Sequence, residues 1–184
     1  MSSPRRKLSE AADGDDAGQV FRQGLIDVLP HLRAFARGLC GRTDRADDLV
    51  QEAVMRAWAA RGSFALGTNL KAWIFTIARN TFLNELRRNR RESQLEDGQA
   101  EAVLITAADQ ENGLHMTDLQ RALDSLPADR REALLLVGAS GFTYEEAAKV
   151  CDVAVGTMKS RVSRARAQLG ALLDAESAAD GPPA

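Results

Sequence analysis

Apolar side chains recur every three or four residues over much of the chain, which is the spacing of one face of an α-helix. This periodicity predicts helices over residues 44–60, 70–91, 143–150 and 155–173. No segment alternates Val, Ile or Thr with polar residues, as a half-buried strand would. The sequence therefore predicts an all-α protein.

Composition divides the chain into segments. Seven of the nine aromatic residues lie in a first Ala-, Leu- and Arg-rich stretch, and the acidic stretch that follows has none. Thr117 to Gln120 has the form of a capping box, which indicates the start of a second unit. Both termini are rich in small and charged residues and are expected to be disordered. We predict two small helical domains joined by a flexible linker: a disordered segment 1–16, a domain 17–91, an acidic linker 92–116, a domain 117–173 and a disordered tail 174–184.

The net charge of −2 over 184 residues conceals a strong segregation of charge. Residues 17–91 hold 13 basic and 6 acidic side chains, whereas residues 92–116 hold 6 acidic side chains and no Lys or Arg. A near-neutral total therefore does not exclude a polyanionic partner, because the local field matters. Arg outnumbers Lys 20 to 4, which favours bidentate contacts to phosphate or base edges, although GC-rich coding produces the same bias.

Candidate catalytic and metal-binding residues are few. The two cysteines, Cys40 and Cys151, and the two histidines, His31 and His115, are far apart and form no ligand or nucleophile motif. We expect no enzymatic activity, no metal and no cofactor. The apolar runs are too short to span a bilayer and no secretory signal is recognisable, so we expect a cytoplasmic protein without a membrane partner.

The helix over residues 70–91, capped by Asn69, has an unusual polar face. Its apolar side carries Phe75, Ala78, Phe82 and Leu86. The opposite side combines a stacking surface, two amides and two cations, which suits the binding of unpaired bases. A solvated face with its tryptophan covered by a neighbouring helix is the alternative. The loop 61–69, with two glycines, could hold an extruded base or simply connect helices. The residues of this polar face are Trp73, Asn80, Asn84, Arg87 and Arg91.

The helix over residues 44–60 also presents a polar side, behind Asp44 as its N-cap. An exposed methionine among acids and amides suits a protein–protein contact better than water alone. An ordinary solvated face is the alternative. The side chains concerned are Asp48, Gln51, Glu52 and Met55.

A helix–turn–helix pattern lies near the C-terminus, after a helix that begins at Pro127 and stops at Gly138 and Gly141. Thr143 to Glu146 forms a capping box, and Asp152 occupies a turn position that suits a left-handed backbone. On the second helix, small hydroxyl residues are flanked by cations, the layout of a major-groove recognition helix. A basic solvated helix is the alternative. The recognition residues would be Thr157, Lys159, Ser160, Arg161, Ser163, Arg164 and Arg166.

Three segments together resemble bacterial sigma factors. The region 2 helix is matched by Asp44-Arg-Ala-Asp-Asp-Leu-Val-Gln-Glu-Ala-Val-Met-Arg-Ala-Trp58. The helix that reads the −10 promoter element is matched by Leu70-Lys-Ala-Trp-Ile-Phe-Thr-Ile-Ala-Arg-Asn-Thr-Phe-Leu-Asn84. Region 4 is matched by Tyr144-Glu-Glu-Ala-Ala-Lys-Val-Cys151 and Val155-Gly-Thr-Met-Lys-Ser-Arg-Val-Ser-Arg-Ala-Arg166. The length is similar to that of the extracytoplasmic-function (ECF) class, which keeps only domains 2 and 4, and the subtype is similar to the EcfG general-stress factors of alphaproteobacteria.

The resemblance implies a role for each surface. The partners would be the β and β′ subunits of RNA polymerase core, and the residues that bind the β′ clamp coiled coil would be Asp48, Gln51, Glu52 and Met55. Phe64 would hold a flipped −10 base, and the polar face of the 70–91 helix, with Arg88, would open and read that element. The recognition residues of the helix–turn–helix would bind the −35 element as duplex DNA.

The resemblance also implies regulation by a NepR-like anti-sigma factor and a role in initiating transcription of general stress genes. As a relaxed coil the 25-residue linker spans roughly 28 Å, and extended about 85 Å, so it can bridge the about 50 Å between DNA sites one and a half turns apart. Two alternatives stay open: a sigma-like decoy that binds an anti-sigma protein without touching DNA, and a stand-alone helix–turn–helix regulator.

Overall fold

Seven α-helices, with a short 3₁₀ turn at Arg61–Ser63 and a π-helical turn at Leu135–Ala139, make up most of the part of the chain that the structure describes. The computed structural model describes residues 5–65, 67–96 and 114–179, and side chains within 18–65, 67–92 and 119–172. No strand occurs in these ranges, which confirms the all-α prediction, and no helix there is long and apolar enough to span a bilayer. The helices are α1 Arg5–Cys40, α2 Thr43–Ala59, α3 Leu70–Glu96, α4 Leu114–Asp124, α5 Ala128–Leu134, α6 Tyr144–Cys151 and α7 Val155–Ala179.

Helices α1, α2 and α3 form an N-terminal unit. Each buries a stripe of side chains spaced three or four residues apart, as the sequence predicts. Alanines at the centre of α2 and α3 have no measurable exposure, so the helix backbones approach closely. The stripes consist of Leu25, Val28, Leu32, Phe35 and Leu39 on α1, Leu49, Ala53 and Ala57 on α2, and Ile74, Phe75, Ala78 and Phe82 on α3.

The starts of α2 and α3 test the predicted N-caps. Asn69 caps α3 as predicted, since its side-chain oxygen accepts from the Ala72 amide at 3.0 Å. The prediction for α2 is wrong, because Arg42 occupies the N-cap and Asp44 lies in the first turn. There the carboxylate pairs with Arg42 at 2.8 Å, and this hydrogen bond is the main cause of the lowered pKa of Asp44. A carboxylate in the first turn still complements the helix dipole.

Helices α4 to α7 form a C-terminal unit, in which α7 packs on α4, α5 and α6. A π-helical turn, Leu135–Ala139, continues α5, and the chain leaves it through Gly141 at φ 70°. The predicted capping box is confirmed: Thr143 Oγ1 accepts from the Glu146 amide, and the Glu146 carboxylate accepts from the Thr143 amide. The left-handed turn is confirmed as well, with Asp152 at φ 54° and ψ 53°.

The capping box inferred at Thr117 is wrong. Helix α4 begins at Leu114, so Thr117 lies inside the helix rather than at its start. Leu114 and Met116 are good helix formers, and they extend the helix past the residue that has the local form of a cap.

The helices also extend beyond three of the predicted segment boundaries. Helix α1 begins at Arg5 within the segment expected to be disordered, α3 continues to Glu96, and α7 continues to Ala179. Ala and Glu are the most frequent good helix formers in these extensions, and their intrinsic propensity favours the helix there. The remainder of the acidic linker, residues 97–113, lies outside the described residues, as do residues 1–4 and 180–184.

The two units share one hydrophobic core. Phe75 of α3 packs against Phe35 of α1 at 5.1 Å between ring centroids, and edge-on against Phe142 of the C-terminal unit at 4.8 Å. Leu135 covers α1 at Gly38, where the absence of a side chain makes room for it. The apolar side of α3 therefore packs against the C-terminal unit as well as against its own unit.

The capping box at Thr143 predicts a measurable loss of stability. We expect Thr143→Ala to lower the free energy of unfolding by about 1 kcal/mol, because the Glu146 amide loses its partner. Thr143→Ser keeps the hydroxyl and should retain most of the stability. Urea unfolding followed by circular dichroism measures both variants. Equal stability of the two would show that the hydroxyl contributes nothing.

Candidate functional site

A groove of about 550 Å³ lies between α2 and α3. One wall contains the four side chains for which we predict protein binding: Asp48, Gln51, Glu52 and Met55. The structure thus brings all four together, whereas the sequence shows only that they share one side of a helix. The other wall comes from α3 and includes Asn84 and Arg88, which we predict to contact DNA.

Met55 is the most exposed apolar side chain of this groove, with 59% of its surface accessible. Beside it, Glu52 accepts from Arg56 at 2.6 Å, one helical turn away. A flexible thioether next to a charged pair gives an apolar contact with a polar rim, the usual anatomy of a protein interface.

A cluster of four aromatic rings lies where α1, the end of α2 and the start of α3 meet. Phe64 and Trp73 are 5.3 Å apart between ring centroids, and the buried Phe21 lies about equally far from both, at 6.0 and 6.2 Å. The fourth ring is Trp58, 6.1 Å from Phe21. Phe64 and Trp73 are only half-buried, so the cluster keeps an accessible edge.

The surroundings of Trp73 bear on whether its ring is available for stacking or is covered by a neighbouring helix. A neighbouring helix does cover one side of the ring, through Phe21, and the rest stays accessible. Sequence reasoning identified neither Phe21 nor Trp58 as a member of this cluster. In the structure Trp58 is 37% exposed and carries the guanidinium of Arg61 over its ring, 4.9 Å from the centroid. The signal available in the sequence was the Trp-Ala-Ala-Arg spacing of residues 58–61.

The polar side of α3 is exposed, as predicted. Asn80, Asn84, Arg87, Arg88 and Arg91 are all accessible to solvent. Arg87 donates to the Asn84 side chain at 3.3 Å, and Arg88 lies 3.7 Å from Glu92. Because these pairs are solvent-exposed they are weak, and an incoming phosphate can replace the acidic partner.

Helix α7, the predicted recognition helix, has one buried face and one exposed face. Met158, Val162 and Ala165 are fully buried against the rest of the C-terminal unit. The capped start of α6 and the left-handed turn at Asp152 fix the angle at which α7 leaves. The exposed face contains five of the seven predicted recognition residues: Thr157, Lys159, Ser163, Arg164 and Arg166.

The other two recognition residues are engaged within the protein. Arg161 pairs with Asp129 of α5 at 3.1 Å, and Ser160 donates to the Thr157 carbonyl at 2.9 Å. Both are half-buried, so less of each side chain is available to DNA. The ammonium of Lys159 lies over the ring of Tyr144, 5.9 Å from its centroid.

The cysteines have the environment of core residues. Burial is the main cause that raises the pKa of Cys40 to about 11 and that of Cys151 to about 12, and nearby carboxylates add to it. Such thiols are poor nucleophiles at neutral pH. Within the described side chains no group of three or more His, Cys, Asp or Glu could hold a metal ion.

Comparison with known proteins identifies the family. Sigma-70 region 2 matches residues 25–92, and Sigma-70, region 4 matches residues 116–169. The chain is 51% identical over 163 residues to the ECF RNA polymerase sigma factor EcfG of Rhodopseudomonas palustris (strain TIE-1), which covers 89% of this chain and 90% of that one. The chain is an ECF sigma factor.

Two solved structures are similar to this sigma factor along most of its length. One is the sigma factor RpoE in complex with the anti-sigma factor NepR from Bartonella quintana, with 50% identity, a TM-score of 0.75, and coverage of 85% of this chain and 98% of that chain. The other is CnrH in complex with the cytosolic domain of CnrY, with 30% identity, a TM-score of 0.59, and coverage of 91% and 94%. The predicted resemblance to EcfG-type factors is thereby confirmed.

The environment of the cysteines predicts that neither thiol reacts in the folded protein. At pH 8 only about one Cys40 thiol in a thousand, and fewer for Cys151, should be ionised. We expect Ellman's reagent to label less than about a tenth of either thiol within minutes, and both promptly in guanidinium. Stoichiometric labelling of the folded chain within that time would contradict the burial of these side chains.

Proposed function

We propose that this sigma factor binds RNA polymerase core, directs it to promoters that carry −35 and −10 elements, and helps to separate the strands at the −10 element. The single observation that carries the proposal is the presence of three exposed faces of different chemistry on one sigma-factor chain. They are the α2–α3 groove, the accessible edge of the aromatic cluster with the polar side of α3, and the basic face of α7.

The α2–α3 groove is the proposed polymerase contact. Asp48, Gln51 and Glu52 offer acidic and amide groups around the exposed thioether of Met55. A helical partner rich in Arg and in apolar side chains would complement this surface, and the clamp coiled coil of the β′ subunit is the partner that the family resemblance implies.

The aromatic cluster and the polar side of α3 form the proposed −10 contact. Phe64 and Trp73 offer ring edges and faces to an unstacked base, and Asn80 and Asn84 offer amides to base edges. Arg87, Arg88 and Arg91 would neutralise phosphates of the strand. Unstacking costs a few kcal/mol per base, which stacking on the aromatic rings offsets.

The exposed face of α7 is the proposed −35 contact, read as duplex DNA. Thr157 and Ser163 allow the helix to approach base edges, while Lys159, Arg164 and Arg166 reach base edges or phosphates. Arg161 and Ser160 would act from the margin of this face, because each already has a partner in the protein.

Attachment of both DNA-binding faces to one polymerase would raise their combined affinity for a promoter. Each alone would bind DNA with low affinity and strong salt dependence. Holding both on one polymerase raises their effective concentration at a single promoter. The factor thus supplies recognition, and polymerase supplies the phosphodiester chemistry in the cytoplasm; we assign this chain no catalytic role.

A NepR-like anti-sigma protein is the proposed regulator, and general stress genes are the proposed targets. The similarity at 50% identity to a sigma factor solved with NepR supports the first assignment, and the similarity to EcfG supports the second. A decoy that binds only the inhibitor would not need the exposed basic face on α7, which makes the sigma-factor role the better supported of the two.

Run-off transcription with purified polymerase core tests the function, and Met55→Ala tests the polymerase surface. We expect promoter-dependent transcripts with the parent chain and about fivefold weaker binding to core for the variant, because truncation removes the exposed apolar anchor. Ile26→Ala, an exposed apolar change on α1, is the matched control and should bind as the parent does. The absence of any promoter-dependent transcript would favour a decoy, and tight operator binding without polymerase would favour a stand-alone regulator.

Arg164→Ala tests recognition of the −35 element. If Arg164 reads a base edge, the variant should lose roughly tenfold in discrimination between the preferred element and single-base variants of it. Transcription from a panel of such promoters provides the measurement, with Arg33→Ala on α1 as a charge-matched control. A uniform loss on every promoter would instead assign Arg164 to phosphate binding.

A further inference from the structure

Trp58 is an exposed aromatic side chain to which the function proposed above assigns no contact. It lies near the end of α2, has 37% of its surface accessible, and carries two guanidinium groups against its ring. The central carbon of the Arg61 guanidinium is 4.9 Å from the ring centroid, and that of Arg22 on α1 is 5.9 Å from it. We name these three residues the Trp58 stack.

Arg61 is held in place by the turn that follows α2. Its Nη1 donates to the Trp58 carbonyl at 2.9 Å. The turn is closed by Ser63, whose amide and hydroxyl both donate to the Ala60 carbonyl, at 2.9 and 2.7 Å. Because a planar guanidinium held against a ring has little rotamer freedom left, it loses little entropy when it binds an anion.

Both guanidinium groups of the Trp58 stack have donors left for a further ligand. A guanidinium has several N–H donors, and the Trp58 carbonyl accepts from only one nitrogen of Arg61. Among the side chains that the structure describes, no carboxylate pairs with Arg22 or with Arg61, and both are exposed. Two such cations beside an accessible ring can stack on bases and neutralise phosphates of an unpaired strand.

The Trp58 stack lies close to the proposed site for a flipped base. Phe21 packs against Trp58 at 6.1 Å and against Phe64 at 6.0 Å between ring centroids. The rings of Trp58 and Phe64 are therefore at most about 12 Å apart. A stacked strand advances about 3.4 Å per nucleotide, so a strand with a flipped base at Phe64 reaches the stack within about four nucleotides.

The packing of α2 on α3 places the stack at the start of α3. In the groove, the earlier part of α2, around Asp48, lies beside the later part of α3, around Arg88. In the aromatic cluster, Trp58 and Trp73 both contact Phe21, so the end of α2 lies beside the start of α3. The two helices are thus antiparallel, and the stack is at the opposite end of α3 from Arg88.

This arrangement gives the stack a direction relative to a promoter. The later end of α3 leads through the linker to the C-terminal unit, for which we propose the −35 element. A −35 element lies upstream of a −10 element. Under these assignments the Arg88 end of α3 therefore faces upstream, and the Trp58 stack faces downstream.

We propose that the Trp58 stack binds the unpaired strand immediately downstream of the −10 element, with a base against the ring or a guanidinium plane and phosphates against the two cations. This inference rests on the −10 binding proposed above and adds a second contact to the same strand. The contact tolerates any base, because every base has a face that can stack. A strand held on both sides of the flipped base returns less readily to the duplex.

Forked promoter DNA bound to reconstituted holoenzyme tests this contact. The DNA is duplex across the −35 element and unpaired across the −10 element, where a short version ends and a long version continues the same strand by about six nucleotides. We expect Arg61→Ala to bind the long DNA about fivefold more weakly than the parent, and the short DNA equally well, in competition measured by fluorescence anisotropy. Arg33→Ala on α1 is the charge-matched control and should bind both as the parent does.

Salt dependence and side-chain shape distinguish a strand contact from a loss of structure. On the long DNA alone, Arg22→Ala and Arg61→Ala should each reduce the slope of log affinity against log salt by about 0.7, the value for one phosphate of a single strand. Arg61→Lys keeps the charge but not the flat surface, and should keep the slope while it loses part of the affinity. Trp58→Leu still covers Phe21 but offers no ring, and should bind only the long DNA more weakly. Circular dichroism checks that each variant is folded.

The two DNAs separate the possible outcomes. An equal loss on the short and long DNA would show that these residues support the base site or the fold, and would overturn the proposal, as would unchanged binding by all of the variants. If the parent holoenzyme does not prefer a −10 strand to a scrambled one, the proposed function itself is wrong, and the stack proposal falls with it.

Discussion

The burial of Phe75 between Phe35 and Phe142 is the packing interaction on which the arrangement of the whole molecule depends. Helix α3 is therefore part of the packing of both units, because its apolar side contacts the other helices of the N-terminal unit and also the C-terminal unit. The opposite side of α3 is consequently left for Asn80 and its neighbours, which are polar and exposed. One helix therefore has a structural contact on one side and the proposed binding surface on the other, and the two do not overlap.

Charged side chains are likewise divided between contacts within the protein and the exposed surface. The carboxylate of Glu132 pairs with Arg79 of the N-terminal unit in a largely buried contact, while Arg88 near the exposed end of α3 has only a weak, solvent-exposed partner. Buried pairs favour one geometry, because separating them leaves a charge without its partner in a dry environment. Exposed cations contribute little to stability and remain available for phosphate.

Local signals in the sequence predicted local structure well. The capping box at Thr143, the left-handed Asp152 and the cap at Asn69 each depend on side chains within a few residues, and all three are present. The same logic failed at Thr117, where helix-forming neighbours extend α4 back to Leu114, and at Asp44, where Arg42 occupies the N-cap two residues earlier. A cap motif competes with the propensity of the residues before it, and the motif alone does not decide the outcome.

Contacts between distant residues could not be predicted. The place of Phe21 in the aromatic cluster and the pairing of Arg79 with Glu132 depend on how whole helices pack, which periodicity does not encode. Periodicity did predict that Phe75 is buried, but not that part of its cover comes from the other unit. The candidate surfaces were thus predictable as faces of single helices, and their grouping into a groove and an aromatic cluster was not.

The groove between α2 and α3 has a consequence for the order of events at a gene. Met55 lines the same groove as Asn84 and Arg88, for which we propose DNA contacts, and lies on the opposite wall. A protein seated there would remove side-chain freedom from Asn84 and Arg88 and so reduce the entropy that they lose when a nucleic-acid strand arrives. Under these proposed assignments, binding to polymerase and binding of the −10 strand would be thermodynamically coupled, and the coupling would favour a factor that binds DNA only after it has bound polymerase.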